Sequence, residues 1–255
     1  MSIAPKWRIF ALTLPLAILF GLAKLLFHQQ GWELWTFNPL TSSLFGAATF
    51  IIAFQLSGTL SDYRSSDSLL TQFCVSIESI QDGNLLTAKT HPDYDPQPLR
   101  QSLLLLTQDL RNILQTEKPI QPLLPKVTDL YLLFAGLNAY SPNMSLLQAE
   151  QGKLRGILMQ IRGVRDSNFV QPAYAILELF TIASTVALLL VGGEELTESI
   201  VVSSLMFMVF SYLLLLIKDL DNPFQYGGFS SLDSSLSVLE ESIDRLKKQA
   251  KTTAL

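Results

Sequence analysis

The chain has 255 residues, 49% of them hydrophobic and 16% charged, and a mean hydropathy of +0.32. Soluble domains carry about 25% charge, so this composition belongs with membrane proteins. A formal net charge of −4 lacks the basic field of a general nucleic-acid binder, and the single cysteine, Cys74, excludes an intramolecular disulfide and a cysteine-built zinc site.

Four apolar stretches stand out in chain order: residues 9–27, 40–60, 173–191 and 199–217. Each is about 19 to 21 residues, which at 1.5 Å rise per residue matches a hydrocarbon core of about 30 Å. All four are read as transmembrane helices. Lys6 and Arg8 precede the first, as they would in a signal peptide. The apolar run is longer than a usual signal core and no A-x-A-like site follows it at 24–30, so the helix is expected to be retained.

Orientation follows from the basic residues. Of the 18 lysines and arginines, all but Lys24 fall in the amino-terminal tail, the middle segment or the carboxy-terminal tail. The two short loops carry Glu33, Glu194, Glu195 and Glu198 instead. The positive-inside bias therefore places both termini and the middle segment in the cytoplasm; the membrane is expected to be a bacterial inner membrane or an organelle membrane of bacterial origin. Lys24, near the outer end of its helix, is expected to snorkel to the interface. Trp7, Trp32 and Trp35 fall where an aromatic belt would lie.

The middle segment reads as helical. Leu69, Leu70, Phe73, Ile77 and Ile80 recur at helical spacing, as do Leu99, Leu103, Leu106, Leu110 and Ile113, then Val127, Leu130, Tyr131 and Phe134. A further helix carries Leu147, Leu154, Leu158 and Ile161. Prolines 92, 96, 98, 119, 122, 125 and 142 punctuate the gaps. After the last span, Leu232, Leu236, Leu239, Ile243 and Leu246 form an amphipathic stripe at heptad spacing, too short for a coiled coil and read as packing on the cytoplasmic helices. No convincing strand pattern appears. The expectation is an all-α protein: residues 1–60 a first transmembrane hairpin, 61–171 a cytoplasmic helical region, 172–217 a second hairpin, and 218–255 a tail with an amphipathic helix.

Enzyme motifs are absent: there is no G-x-G-x-x-G, P-loop, G-x-S-x-G or H-E-x-x-H. No catalysis, cofactor or metal is expected. His91, Asp93 and Asp95 lie among prolines and read as a polar turn rather than a metal site. Glu178 is more telling, because an acid two turns inside an apolar span costs at least about 2.5 kcal/mol unless it meets water, a cation or a polar group. It reads either as part of an ion path or as a structural contact, with Arg64 or Tyr63 as candidate partners. Gly46, Phe50 and Phe54 share one face of the second span, a face able to line an apolar constriction.

At this point the residues resemble a family. FGAATFIIAFQLSGTLSDYRSSD (residues 45–67) resembles the pore-helix region of the bestrophin anion channels, and KDLDNPFQYGG (218–228) resembles their N-P-F motif after the last span. The layout of two spans, a large cytoplasmic segment and two more spans is also that of the bestrophin-like bacterial membrane proteins. The resemblance implies an oligomeric channel, a pentamer in membrane lipid conducting inorganic anions such as chloride. Its pore would be lined by span two, with Gly46, Phe50 and Phe54 as the neck. Asp219, Asp221, Asn222, Pro223 and Phe224 form the motif after the last span. Two departures stand out. Gln55 replaces the family's arginine after the neck, and Gln225, Tyr226, Gly227 and Gly228 replace the acidic run of the calcium-gated members. The rival expectation is a membrane-anchored interaction or assembly protein with no conducting pore.

Overall fold

A computed structural model describes residues 7–137, 144–166, 171–193, 195–221, 224 and 236–252, with the side chains of 166, 171–173 and 250–252 set aside. Among the described residues the elements are α1 (Arg8–Gln29), β1 (Trp35–Thr36), α2 (Pro39–Thr90), α3 (Gln97–Gln115), α4 (Leu123–Leu137), α5 (Met144–Asp166), α6 (Gln171–Leu190), β2 (Val191–Gly192), α7 (Leu196–Leu220) and α8 (Ser237–Thr252). The protein is all-helical apart from one parallel ladder, in which Trp35 pairs with Val191 and Thr36 with Gly192. The ladder's strands are two residues each, too short to leave a period-two pattern in sequence.

The chain divides into two compact units, residues 1–63 with 168–222, and 64–167 with 223–255. In the first, α1 packs chiefly along α7 and more lightly on α6, while α6 packs on α7. Small residues suit this packing: a Cβ added at Gly21 would lie 2.9 Å from Ser204 Oγ, so a larger residue there would require the serine side chain to move. Phe20 and Phe207 stack face to face with centroids 4.5 Å apart. A buried cluster joins Phe20, Phe45, Ala48, Ile52, Leu177, Leu188, Phe210 and Ile217.

Three helices are long and apolar enough to cross a membrane: Arg8–Gln29, the apolar part of Pro39–Thr90, and Leu196–Leu220. A fourth, Tyr174–Leu190, is apolar but shorter. Exposed leucines and isoleucines coat α1, among them Leu12, Ile18, Leu19 and Leu22. Such surface is stable only against hydrocarbon, so this is an integral membrane protein.

α2 is a single helix of 52 residues where the sequence suggested a span ending near Leu60 and a separate cytoplasmic helix. From Thr59 to Asp82 there is neither glycine nor proline, so nothing interrupts the hydrogen-bond ladder. Its start is firmly set. Asn38 Oδ1 accepts from the amides of Leu40 and Thr41, Thr41 Oγ1 accepts from the Asn38 amide, and Pro39 opens the helix.

The second unit is built on the expected stripes. Leu70, Phe73, Ile77 and Ile80 of α2, Leu99, Leu103, Leu106 and Leu110 of α3, Val127, Leu130 and Phe134 of α4, and Leu154, Leu158 and Ile161 of α5 form one core. Tyr131 is the exception and lies exposed. α8 adds Leu239 and Leu246, with Leu236 partly buried, while Leu232 lies outside the described residues. The proline-rich turn before α3 is tied down by a buried amide. Asn84 donates to Pro96 O and accepts from the Tyr94 hydroxyl at 2.6 Å, and burial pushes the Tyr94 phenol up to about 12. Asp95 accepts the Gln97 amide at the start of α3, and His91 bonds Thr90, so both serve the turn. Cys74 is buried beneath α8, its thiol against Val238 O at 3.6 Å, and burial pushes its pKa up to about 12.

Candidate pore face and its flanking charges

α2 has two unlike faces within the first unit. One, carrying Phe45, Ala48 and Ile52, is buried in the helical cluster. The other carries Gly46, Phe50 and Phe54, all exposed, with Phe50 at 70% and Phe54 at 72%. The two rings lie one turn apart with centroids at 6.5 Å and planes 20° apart. Around them the exposed positions are small or polar: Ala47, Ala53, Ser57, Gly58 and Ser61. Thr49 turns its hydroxyl back to Phe45 O at 2.8 Å, satisfying it within the helix. Gln55 is half-buried beside this face.

Glu178 meets a cation. Its Oε1 lies 2.8 Å from Lys218 Nζ on α7, and both side chains are about half exposed. The sequence pointed to Arg64 or Tyr63, but Lys218, at the end of the neighbouring helix, is the ion partner found. One turn away, the Tyr174 hydroxyl bonds Asp221. Burial raises the Asp221 carboxyl above its ordinary range, the Tyr174 bond opposes that rise, and nearby Asp62 adds to it. Asp221 also closes α7, its amide bonded to Ile217 O, and Asp219 stands half-buried in the last turn. Of the N-P-F motif, Asn222 and Pro223 lie outside the described residues. Phe224 is 1% exposed and sits in the core of the second unit, which makes it a packing anchor there.

Sequence reasoning missed a cluster at the opposite ends of α1 and α6. Lys24 does not snorkel; it is fully buried. Its ammonium lies 2.7 Å from Glu33 Oε1 and donates to Leu189 O at 3.1 Å and to Val191 O. His28 Nδ1 holds the other Glu33 oxygen at 2.8 Å. Burial acting alone would raise the Glu33 carboxyl; the bonds and charges of Lys24 and His28 outweigh it and hold it below the ordinary carboxylate range. The signal in sequence was present, a single basic residue near the loop and a single acid within it, but helix position alone does not say which way a lysine folds.

No protein-family model matches the chain, and no curated protein matches it by sequence. The fold speaks more clearly. A crystal structure of a point variant of a bacterial bestrophin homologue from Klebsiella pneumoniae matches with a TM-score of 0.72 at 16% identity, over 96% of this chain and 97% of that one. Another crystal structure of the Klebsiella homologue matches with a TM-score of 0.73 at 16% identity, over 93% and 96%. A crystal structure of a membrane protein, also a point variant, gives 0.67 at 14% identity over 96% and 97%. The chain is thus an all-helical integral membrane protein. Its fold is the one seen in the bacterial bestrophin homologue.

Proposed function

We propose that the protein is an oligomeric ion channel of the bestrophin-like group, conducting anions of the chloride type through a pore lined by α2. One observation carries this reading. The outward face of α2 is made of Gly46, Ala47, Phe50, Ala53, Phe54, Ser57 and Gly58, whereas the outward face of α1 is leucine and isoleucine. Lipid favours the second composition, while a helix that faces its own copies around a narrow bore needs small residues for approach and rings for a constriction. The fold likeness and the motifs at 45–67 and 218–228 support the same reading.

In this arrangement α1, α2, α6 and α7 each cross the membrane, α6 being the shortest of the four. Both termini face the cytoplasm and five copies surround the pore. Residues 61–171 with the tail from 218 make the cytoplasmic part. Permeation needs no catalytic group: Phe50 and Phe54 restrict flow by dewetting, with Gly46 allowing the helices together above them. Gln55 leaves the inner end of the neck without a fixed charge.

The test is flux of purified protein in liposomes. Shortening both rings, Phe50→Ala with Phe54→Ala, widens and wets the neck, so chloride should pass faster than in wild type at unchanged particle size. If the oligomer is intact and neither version moves any ion, the channel reading falls and a non-conducting interaction protein takes its place.

A further inference from the structure

The segment between α1 and α2 is short and looks like a simple turn, yet it is held by a buried charge. Lys24 is 0% exposed; its ammonium donates to Leu189 O and Val191 O and forms an ion pair with Glu33 Oε1 at 2.7 Å. Leu189 O lies in the last turn of α6 and Val191 O just past it in β2, where a helix end presents unpaired acceptors and the negative pole of its dipole. Beyond Glu33, Trp35 and Thr36 pair with Val191 and Gly192, and Asn38 then caps α2. Gly192 permits the approach: a Cβ there would stand 3.0 Å from Glu33 Oε2.

We propose that Lys24 is a positioning residue. By gripping Glu33 and the carbonyls of Leu189 and Val191 together, it fixes the segment from Glu33 to Asn38 and thereby the place where α2 begins. A lysine serves because its ammonium is a compact point charge with rotatable donors that point in different directions. Glu33 is shared with His28, on the exposed side of the clasp. An uncompensated charge left here by removing one partner is costly, which is why the pair must be changed together to isolate positioning from burial. Only the transport consequence rests on the pore reading; the mechanical one does not.

The experiment compares amide hydrogen exchange in the wild type and in Lys24→Met with Glu33→Gln, in the intact purified protein. Amides of residues 35–41 should exchange at least about tenfold faster in the double variant, while those in the middle of α7 keep their protection. Glu33→Gln alone, which leaves Lys24 its carbonyls, serves if the double variant does not assemble and should show the same local change in smaller measure. Unchanged protection at 35–41, or an equal rise throughout the first unit, overturns the proposal. Chloride flux is read in parallel. A wild type that passes no chloride defeats the pore reading, and the exchange result still decides the role of Lys24.

Discussion

The ion pairs Lys24–Glu33 and Glu178–Lys218 share chemistry and nearly share a length, 2.7 and 2.8 Å. They differ in surroundings. Lys24 is wholly buried and Glu33 nearly so, while Glu178 and Lys218 each keep about half their surface. The first pair is completed by two backbone carbonyls on the lysine side and a histidine on the glutamate side. The second is one contact between two helix surfaces. In sequence the two looked the other way round: the acid inside a span was the costly charge, and the lysine near a loop was expected to snorkel to the interface. Burial, not the position of a charge along an apolar run, decides how much depends on it.

Breaking the buried pair should show the largest effect. Lys24→Met strands the Glu33 carboxylate and two carbonyls, and should lower stability by about 3 to 5 kcal/mol, seen as a lower denaturation midpoint in detergent. Changing both members should be milder than changing one. Acid sharpens the comparison next. Because the folded-state pKa of Glu33 is depressed, its contribution is present above the ordinary carboxylate pKa and is lost as pH falls through the lower folded value. The wild type should therefore hold its melting temperature down to mildly acid pH and fall below it, and Glu33→Gln should flatten that acid limb. A limb unchanged by the substitution would assign it to other carboxyl groups. Gly192→Ala should cost about 1 kcal/mol, since the new methyl presses on a Glu33 that Lys24 and His28 hold in place. Smallest is Glu178→Gln. A half-exposed pair is worth at most about 1 kcal/mol, so stability should scarcely move. If Glu178 nevertheless lies on an ion path, conductance or its pH dependence changes while assembly does not.

The parts of the fold that were legible follow from periodicity. Phe73, Leu103, Phe134 and Leu158 are buried as their three- and four-residue spacing implied, because an amphipathic helix can bury only one face. Tyr131, counted on the α4 stripe, is exposed instead, its amphipathic ring tolerating the helix edge. What periodicity does not carry is continuity and pairing. Nothing in residues 59–82 marks either a break or its absence except the missing glycine and proline, and the change from lipid-facing to core-facing surface imitates a boundary. Nor does a pattern along one helix name its neighbour, so α1's packing on α7 depended on Gly21 and Ser204 meeting in space. Of the site residues, Phe50 and Phe54 were placed together by simple one-turn spacing. The partner of Glu178 lies 40 positions along the chain and required the fold.

Cys74 has a practical consequence. The thiolate is the reactive form, and with burial pushing its pKa up to about 12 the native thiol, 4% exposed, is almost never in that form at neutral pH. The protein thus comes with a silent background for site-directed chemistry. A reporter cysteine placed at an exposed position such as Ser57 or Ser61 should take up a maleimide while Cys74 stays untouched, and accessibility along α2 can be mapped without altering the native chain.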